Sequence, residues 1–315
     1  MIRFLARRLA QSVPLLFLIS VLLFALLHAV PGGPLTAYLE NPNVRPEDIA
    51  RLRTALGLDR PLGAQYLSWL LAFVRGDWGY SIADGRPVLE RLVERIPATL
   101  ELVGVSSLLA FCIALPIGVL SAVHRGLDRV TSVAAIAGIS LPVFWFGLLL
   151  QLVFANRLGW LPSSGRASFD GGDSLDIAAH LVLPVTVLAL VEAAAWSRYL
   201  RRAMREVLAR PFIRAAHARG VPERDVLVRH ALPNALGSFV TVVLLDAAML
   251  VSGAVVTESV FAWPGVGSLF TEALSKRDYP VLMAFLMVGA VSVIALNLVA
   301  DVVMRAIDPR LREAA

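Results

Sequence analysis

An all-α integral membrane protein is the fold class this sequence predicts, and three observations carry it. The chain of 315 residues is 57% hydrophobic and 17% charged, against about 25% charge in an ordinary soluble domain. Several apolar runs reach the roughly 20 residues that an α-helix needs to cross a hydrocarbon core about 30 Å thick. Arginines crowd the short segments between those runs, where a globular surface would mix both signs.

About six spans are expected: Leu9 to Val30, Thr99 to Val123, Val130 to Asn156, His180 to Leu200, Ala235 to Thr257 and Val281 to Met304. The first follows Arg3, Arg7 and Arg8 and so imitates a signal peptide. Its apolar run exceeds a 7 to 15 residue h-region, however, and Val30, Pro31 and Gly32 make a poor cleavage site, so it is read as a retained helix. Short loops rich in Lys and Arg stay on the cytoplasmic side. Arg125 and Arg129, and the run Arg198, Arg201, Arg202, Arg205, Arg210, Arg214, Arg219, Arg224 and Arg229, therefore belong inside, together with both termini. The opposite loop, Ser163 to Ala179, sets Arg166 against Asp170, Asp173 and Asp176. The net charge of +5 follows from this topology, and no nucleic-acid partner is implied.

The long loop from Pro31 to Pro97 falls outside the charge rule because of its length. Within it, Pro46 to Gly57 reads as a short helix with Ile49, Leu52 and Leu56 on one face and Gly57 as terminator. Tyr66 to Val74 is apolar but too short to span, and Trp69, Trp78 and Tyr80 give it an interfacial character. Val88 to Ile96 is amphipathic. The loop reads as a packed extracytoplasmic cap or as a contact surface for substrate or partner. Pro116, Pro142 and Pro184 interrupt spans, either as bends around a pathway or as ordinary kinks.

Catalytic constellations are missing from the sequence. A Walker A loop needs Gly-x-x-x-x-Gly-Lys-Ser/Thr, and the sole lysine, Lys276, sits between Ser275 and Arg277. H-E-x-x-H and G-x-S-x-G are absent, and the five histidines are scattered. Cys112, the one cysteine, has no intramolecular partner and reads as a packing residue in its span. No catalytic, cofactor-binding or metal-ligating residues are assigned to this chain.

The segment from Ala203 to His230 is helical in pattern but broken by Pro211, Gly220 and Pro222, as two short helices meeting at an angle would be. Phe212, Ala215 and Ala216, with Gly220, leave a small-residue surface that another protein could approach closely, flanked by Arg214 and Arg219. The same composition also suits a solvated basic loop beside anionic headgroups. Within the spans, Glu192 and Asp246 are the deepest ionisable residues, each costing about 2.5 to 3.5 kcal/mol at a helix centre on insertion scales. They read as pathway or inter-subunit groups, or as a structural pair; Gln151 and Asn156 approach the outer end of the third span. Trp263, Pro264 and Gly265 form a turn beside the interface. The set Glu258, Phe261, Trp263, Pro264, Gly265 and Asp278 is the candidate outer gate or binding-protein contact.

The spacing Ala215, Ala216, three residues, Gly220, nine residues, His230, Ala231, Leu232, Pro233 resembles the EAA loop of ABC importer permeases, with Arg214 where the glutamate stands. That departure looks like the peptide-type branch. So do HAVPGGP (His28 to Pro34), GDWGYS (Gly76 to Ser81), WLPSSG (Trp160 to Gly165), HLVLP (His180 to Pro184), ESVFAWPGVG (Glu258 to Gly267), RDYP (Arg277 to Pro280) and DPRLR (Asp308 to Arg312). The resemblance covers essentially the whole chain. It implies a type I ABC importer permease: residues 1–30 as amino-terminus and first helix, 31–97 as an extracytoplasmic helical loop, 98–305 as the core of five further helices, and 306–315 as a cytoplasmic tail. The loop 201–234 would then couple to an ATPase, through a helix from Phe212 to Pro222 with Val221 at its end and His230, Leu232 and Pro233 behind it.

The resemblance also implies the partners. These are a second homologous permease in a heterodimer, two ATP-binding subunits that use ATP and magnesium, and an extracytoplasmic binding protein delivering di- or oligopeptides, all at a bacterial inner membrane. Nickel chelates and glutathione are alternative cargoes. An intramembrane enzyme would lack its constellation, and a channel or scaffold would have no use for the coupling loop.

Overall fold

The computed structural model describes residues 2–29, 35, 45–55, 57–168 and 172–307, and these are helical almost throughout. Leu56, Asp170, the Val30 to Pro34 part of one motif and all of DPRLR, with Arg310 and Arg312, lie outside the described residues. The helices are α1 (Ile2–Ala29), α2 (Pro46–Ala55), α3 (Leu62–Val74), α4 (Val88–Val123), α5 (Arg125–Ser140), α6 (Val143–Leu150), α7 (Ser174–Leu208), α8 (Pro211–Ala218), α9 (Leu232–Gly253), α10 (Val255–Val260), α11 (Val266–Ser275) and α12 (Tyr279–Ile307). A π-helical stretch, Gln151–Arg157, extends α6, and a turn at Glu223–Asp225 followed by a π-helical stretch, Val226–Ala231, leads into α9.

Among the described residues, five helical stretches are long and apolar enough to cross a membrane: Phe4–Ala29, Val88–Val123, Ser174–Leu208, Glu223–Asp246 and Tyr279–Val303. The expected span from Val130 to Asn156 is instead built as two pieces, α5 and then α6 with its π extension. Pro142 causes the break. Its ring disfavours the α region for Leu141, which stands at φ −80° and ψ 127°. Pro116 and Pro184 sit inside continuous helices. The amphipathic segment from Val88 and the span from Thr99 form a single helix of 36 residues that passes through Pro97 and Pro116. At 1.5 Å per residue α4 is about 54 Å long, well beyond the apolar core of a bilayer. By the same measure α7, with 35 residues, runs past Leu200 to Leu208, so the first arginines of the basic run are helical rather than looped.

The chain divides into two compact units: residues 1–98 with 264–294, and 99–263 with 295–315. In the first, α3 is tied to α1 by aromatic side chains. Phe24 meets Tyr66 edge-on at 5.4 Å and lies 6.0 Å from Trp69, the Ser20 and Tyr66 hydroxyls are 2.8 Å apart, and Phe73 stacks on Trp78 at 4.7 Å. No residue of α3 is fully buried. Leu9, Val13, Phe17, Leu18, Leu22 and Leu26 leave an apolar outer surface on α1, as a helix facing lipid requires.

In the second unit the core gathers Trp196, Leu200, Met204 and Val207 of α7, Ala110 and Ala114 of α4, and Phe239 of α9. Hydrocarbon does not drive apolar helices together as water does, so close packing of small residues takes over. A Cβ placed at Gly118 would stand 2.8 Å from the Leu200 Cβ, which shows how tightly α4 and α7 cross. Cys112 does not pack inside as expected: it is exposed on α4. Asp173 caps α7, its carboxylate accepting from the Leu175 and Asp176 amides at 3.1 and 2.9 Å.

Candidate functional site

The basic segment is organised by α8. Arg210 is in extended geometry before Pro211, which takes the first helical position where no N–H is needed. The helix stops in a Schellman turn: the Gly220 amide bonds to the His217 carbonyl at 2.9 Å, and that of Val221 to Ala216 at 3.3 Å. Gly220 sits at φ +75°, a conformation that costs a glycine little and other residues roughly 1 kcal/mol or more. Ile213 and Ala216 are buried in the unit's core beside Val207, Val226 and Ala231. Phe212, Arg214, Ala215, Arg219 and Pro222 are exposed.

The expected close-contact face is corrected accordingly. Ala216 faces its own core, whereas Gly220 ends the helix and is exposed; a Cβ there would meet nothing within 4 Å. Of the three small residues, Ala215 and Gly220 remain exposed, with a phenylalanine nearby, Phe212, that keeps 39% of its surface exposed. The two short helices resolve into one, α8, because the second continues without a break into α9. Val221, His230 and Leu232 are half-buried and Pro233 is exposed. His217 Nε2 lies 2.8 Å from Glu223 Oε2, which links α8 to the turn that follows.

Asp128, near the start of α5, braces this end of α7. It accepts from Arg205 at 2.8 Å and from Arg201, which also donates to Ser132. The Arg205 hydrogen bond, followed by Arg201, holds its carboxyl below the ordinary carboxylate range, so it stays ionised near neutrality.

A second centre lies between α4, α7 and α9. Glu192 is 8% exposed, and neither carboxylate oxygen has a hydrogen-bond partner among the described residues. Asp246 of α9 and Ser107 of α4 are its polar neighbours, the serine outside hydrogen-bonding geometry. Ser106 is fully buried, and its hydroxyl is also unpartnered. Asp246 accepts from the indole N–H of Trp196 at 2.7 Å, one turn beyond Glu192 on α7. The sequence placed Glu192 and Asp246 at depth, and the structure brings them together. Gln151 instead donates to the carbonyls of Ser163 and Val260 at 2.8 and 3.0 Å, tying the loop after α6 to the end of α10, and Asn156 is exposed.

The candidate gate residues prove to be mostly interior. Glu258 is fully buried and accepts from Thr99 at 2.6 Å, while Phe261 and Trp263 are 2% and 0% exposed. Gly265 and Asp278 are buried as well, so Pro264 alone of the six is partly exposed. Two left-handed residues that are not glycine set this arrangement, Ala262 at φ 46° and Arg277 at φ 53°. Each ends a helix in a Schellman turn and is followed directly by a buried residue: Trp263 bonds back to the Glu258 carbonyl, and Asp278 to that of Ala273, both at 2.8 Å. Strain of about 1 to 2 kcal/mol at each is tolerated because the next side chain is locked in place.

Within the first unit Asp278 receives the hydroxyl of Ser81, the Ile82 amide at 3.2 Å, and the guanidinium of Arg91 at 3.7 Å. Arg91 also meets Ser81 at 2.9 Å, Asp84 at 3.3 Å and Glu272 at 3.4 Å. Sequence reasoning missed Arg91. The one signal it offered was an arginine opening an amphipathic segment shortly after the GDWGYS run.

Long apolar helices, three of which enclose a buried polar centre, with a short exposed helix carried at the end of α7, define a multi-pass membrane transport subunit. The chain belongs to the binding-protein-dependent transport system inner membrane components. The family model matches residues 114–313, and the model of the family's amino-terminal part matches residues 1–103. The oligopeptide transport system permease protein AppB of Bacillus subtilis is 39% identical over 315 residues, covering 99% of each chain. The dipeptide transport system permease protein DppB of Escherichia coli K12 is 35% identical over 336 residues, again covering 99% of each. A solved structure of the MetNI methionine ABC transporter in an inward-facing conformation aligns with a TM-score of 0.58 at 22% identity, covering 70% of this chain and 98% of that one, and shows the shared permease fold.

Proposed function

We propose that this chain is the permease subunit of an ATP-driven importer. It forms, with a second homologous permease, the pathway for di- or oligopeptides handed over by an extracytoplasmic binding protein. The full-length relatives named for oligopeptide and dipeptide transport support the cargo. A glutathione permease of Escherichia coli, 36% identical over 314 residues, keeps that tripeptide as the alternative. The observation that carries the coupling role is α8, a helix anchored on one side by Ile213 and Ala216 and exposed on the other through Phe212, Arg214, Ala215 and Arg219. A rigid lever of this kind transmits the closure of two cytoplasmic ATPases, which bind the ATP and magnesium, into α7 and α9. Both termini and α8 then face the cytoplasm, as the arginine distribution requires.

Cells lacking other peptide importers, supplied with this chain and its neighbouring subunits, are expected to accumulate labelled dipeptides in an energy-dependent way. Accumulation of glutathione with no uptake of other peptides would replace the peptide reading by the alternative.

In this scheme the Glu192 and Asp246 centre lines the pathway or meets the second permease, because a buried carboxyl without a partner is maintained against its insertion cost. Glu192→Leu separates function from stability. The variant is expected to insert and accumulate at least as well as the parent, since an apolar side chain removes the burial cost, while uptake falls by about tenfold or more, equivalent to about 1.4 kcal/mol of barrier. Unchanged uptake would make the centre purely structural.

A further inference from the structure

The second unit contains a partly open cavity of about 270 Å³ between α4, α5, α6 and α7. Ile113, Ile117, Leu141, Phe146, Leu190 and Val191 give it apolar walls, and Thr131 and Ser197 are its polar members. Thr131 and Ser197 also border a closely packed polar niche with Ser121, Ser132, Arg198 and Arg201, which places the arginines beside one end of the apolar cavity.

We propose that this cavity binds an anionic phospholipid, one acyl chain lying between the helices and the phosphate resting against Arg198. The walls offer no charge to the ends of a zwitterionic peptide, and they suit a hydrocarbon chain. A cavity of roughly 150 Å³ with similar lining is enough to take benzene, so this one accommodates a length of acyl chain. Charge at the mouth selects the headgroup. Asp128 is shared by Arg201 and Arg205, which leaves a net positive balance, and Arg198 adds an exposed guanidinium with no carboxylate partner among the described residues. Basic recesses between membrane helices are suited to anionic headgroups, and a guanidinium binds phosphate through paired donors.

The chain, purified from membranes with the subunits that accompany it, would be incubated with equal amounts of phosphatidylglycerol and phosphatidylcholine and weighed intact by native mass spectrometry. Phosphatidylglycerol should be retained about tenfold over phosphatidylcholine, a difference of about 1.4 kcal/mol. Arg198→Gln should bring the ratio near one, and Arg198→Lys should restore most of the preference. Ala194→Phe, which fills the cavity wall, should lower retention of both lipids; because Arg198 is exposed, its variants test the proposal even if this one misfolds. Equal retention by the parent, a preference that survives Arg198→Gln, or an assembled importer that carries no lipid because a partner helix fills the groove would each overturn it.

Discussion

Asp278→Ala is expected to destabilise the chain by about 1 to 3 kcal/mol, the usual cost of leaving buried hydrogen-bonding groups unsatisfied. Asp278 is fully buried and Arg91 is 7% exposed, so water cannot replace the lost carboxylate. The guanidinium would keep Asp84 and Glu272, both partly exposed, but lose the one acceptor that also orients Ser81 and the Ile82 amide. Unfolding by a denaturing detergent, followed by tryptophan fluorescence, reads the change. Asp278→Asn, which retains an acceptor for Ser81, should cost less than the alanine variant. The double variant Arg91→Met, Asp278→Leu should be milder than Asp278→Ala, because apolar side chains of similar volume then replace the whole buried pair. A loss below about 0.5 kcal/mol for Asp278→Ala, the range of an ordinary surface change, would show that this network does not hold the unit together.

The second large effect separates two neighbouring alanines of α8. Ala215→Trp should leave unfolding within about 0.5 kcal/mol of the parent, since the site is exposed, yet lower peptide uptake by about a hundredfold, equivalent to about 2.7 kcal/mol, by wedging a bulky ring into the proposed ATPase contact. Ala216→Trp should do the reverse: at 1% exposure it overpacks the core, costs about 1 to 3 kcal/mol or more, and reduces the amount of chain in the membrane. Normal uptake by Ala215→Trp would remove α8 from the coupling role. Gly220→Trp is less informative, because at φ +75° any side chain strains the backbone whatever it touches.

The membrane class, most of the spans and the place of the basic segment were legible because they depend on composition and on runs of like residues. Insertion reads such quantities directly: hydrocarbon rejects backbone and charge locally, one segment at a time. Glu192 and Asp246 were singled out for the same reason, as charges within apolar runs, before their helices were seen to converge. The fate of the prolines was not. Pro142 breaks its span, whereas Pro116 and Pro184 ride inside continuous helices, and a proline alone does not say which will happen. Likewise, spacing marked Ala215, Ala216 and Gly220 alike, but a helix shows its neighbours different faces, and rotation about the α8 axis turned one inward and left another outward.

By itself the sequence determined that this protein spans a membrane on helices, where its positive charge gathers, and which family pattern it carries, because each of these is a local or additive property of the chain. Only the tertiary structure decided that the side chains of Asp278, Trp263 and Glu258 are buried, that Arg91 is the cation beside Asp278, and that Glu192 has no hydrogen-bond partner among the described residues. Those outcomes depend on which side chains distant parts of the chain bring within about 4 Å of one another, and a buried charge or an orphaned carboxyl is defined by that company rather than by its own identity.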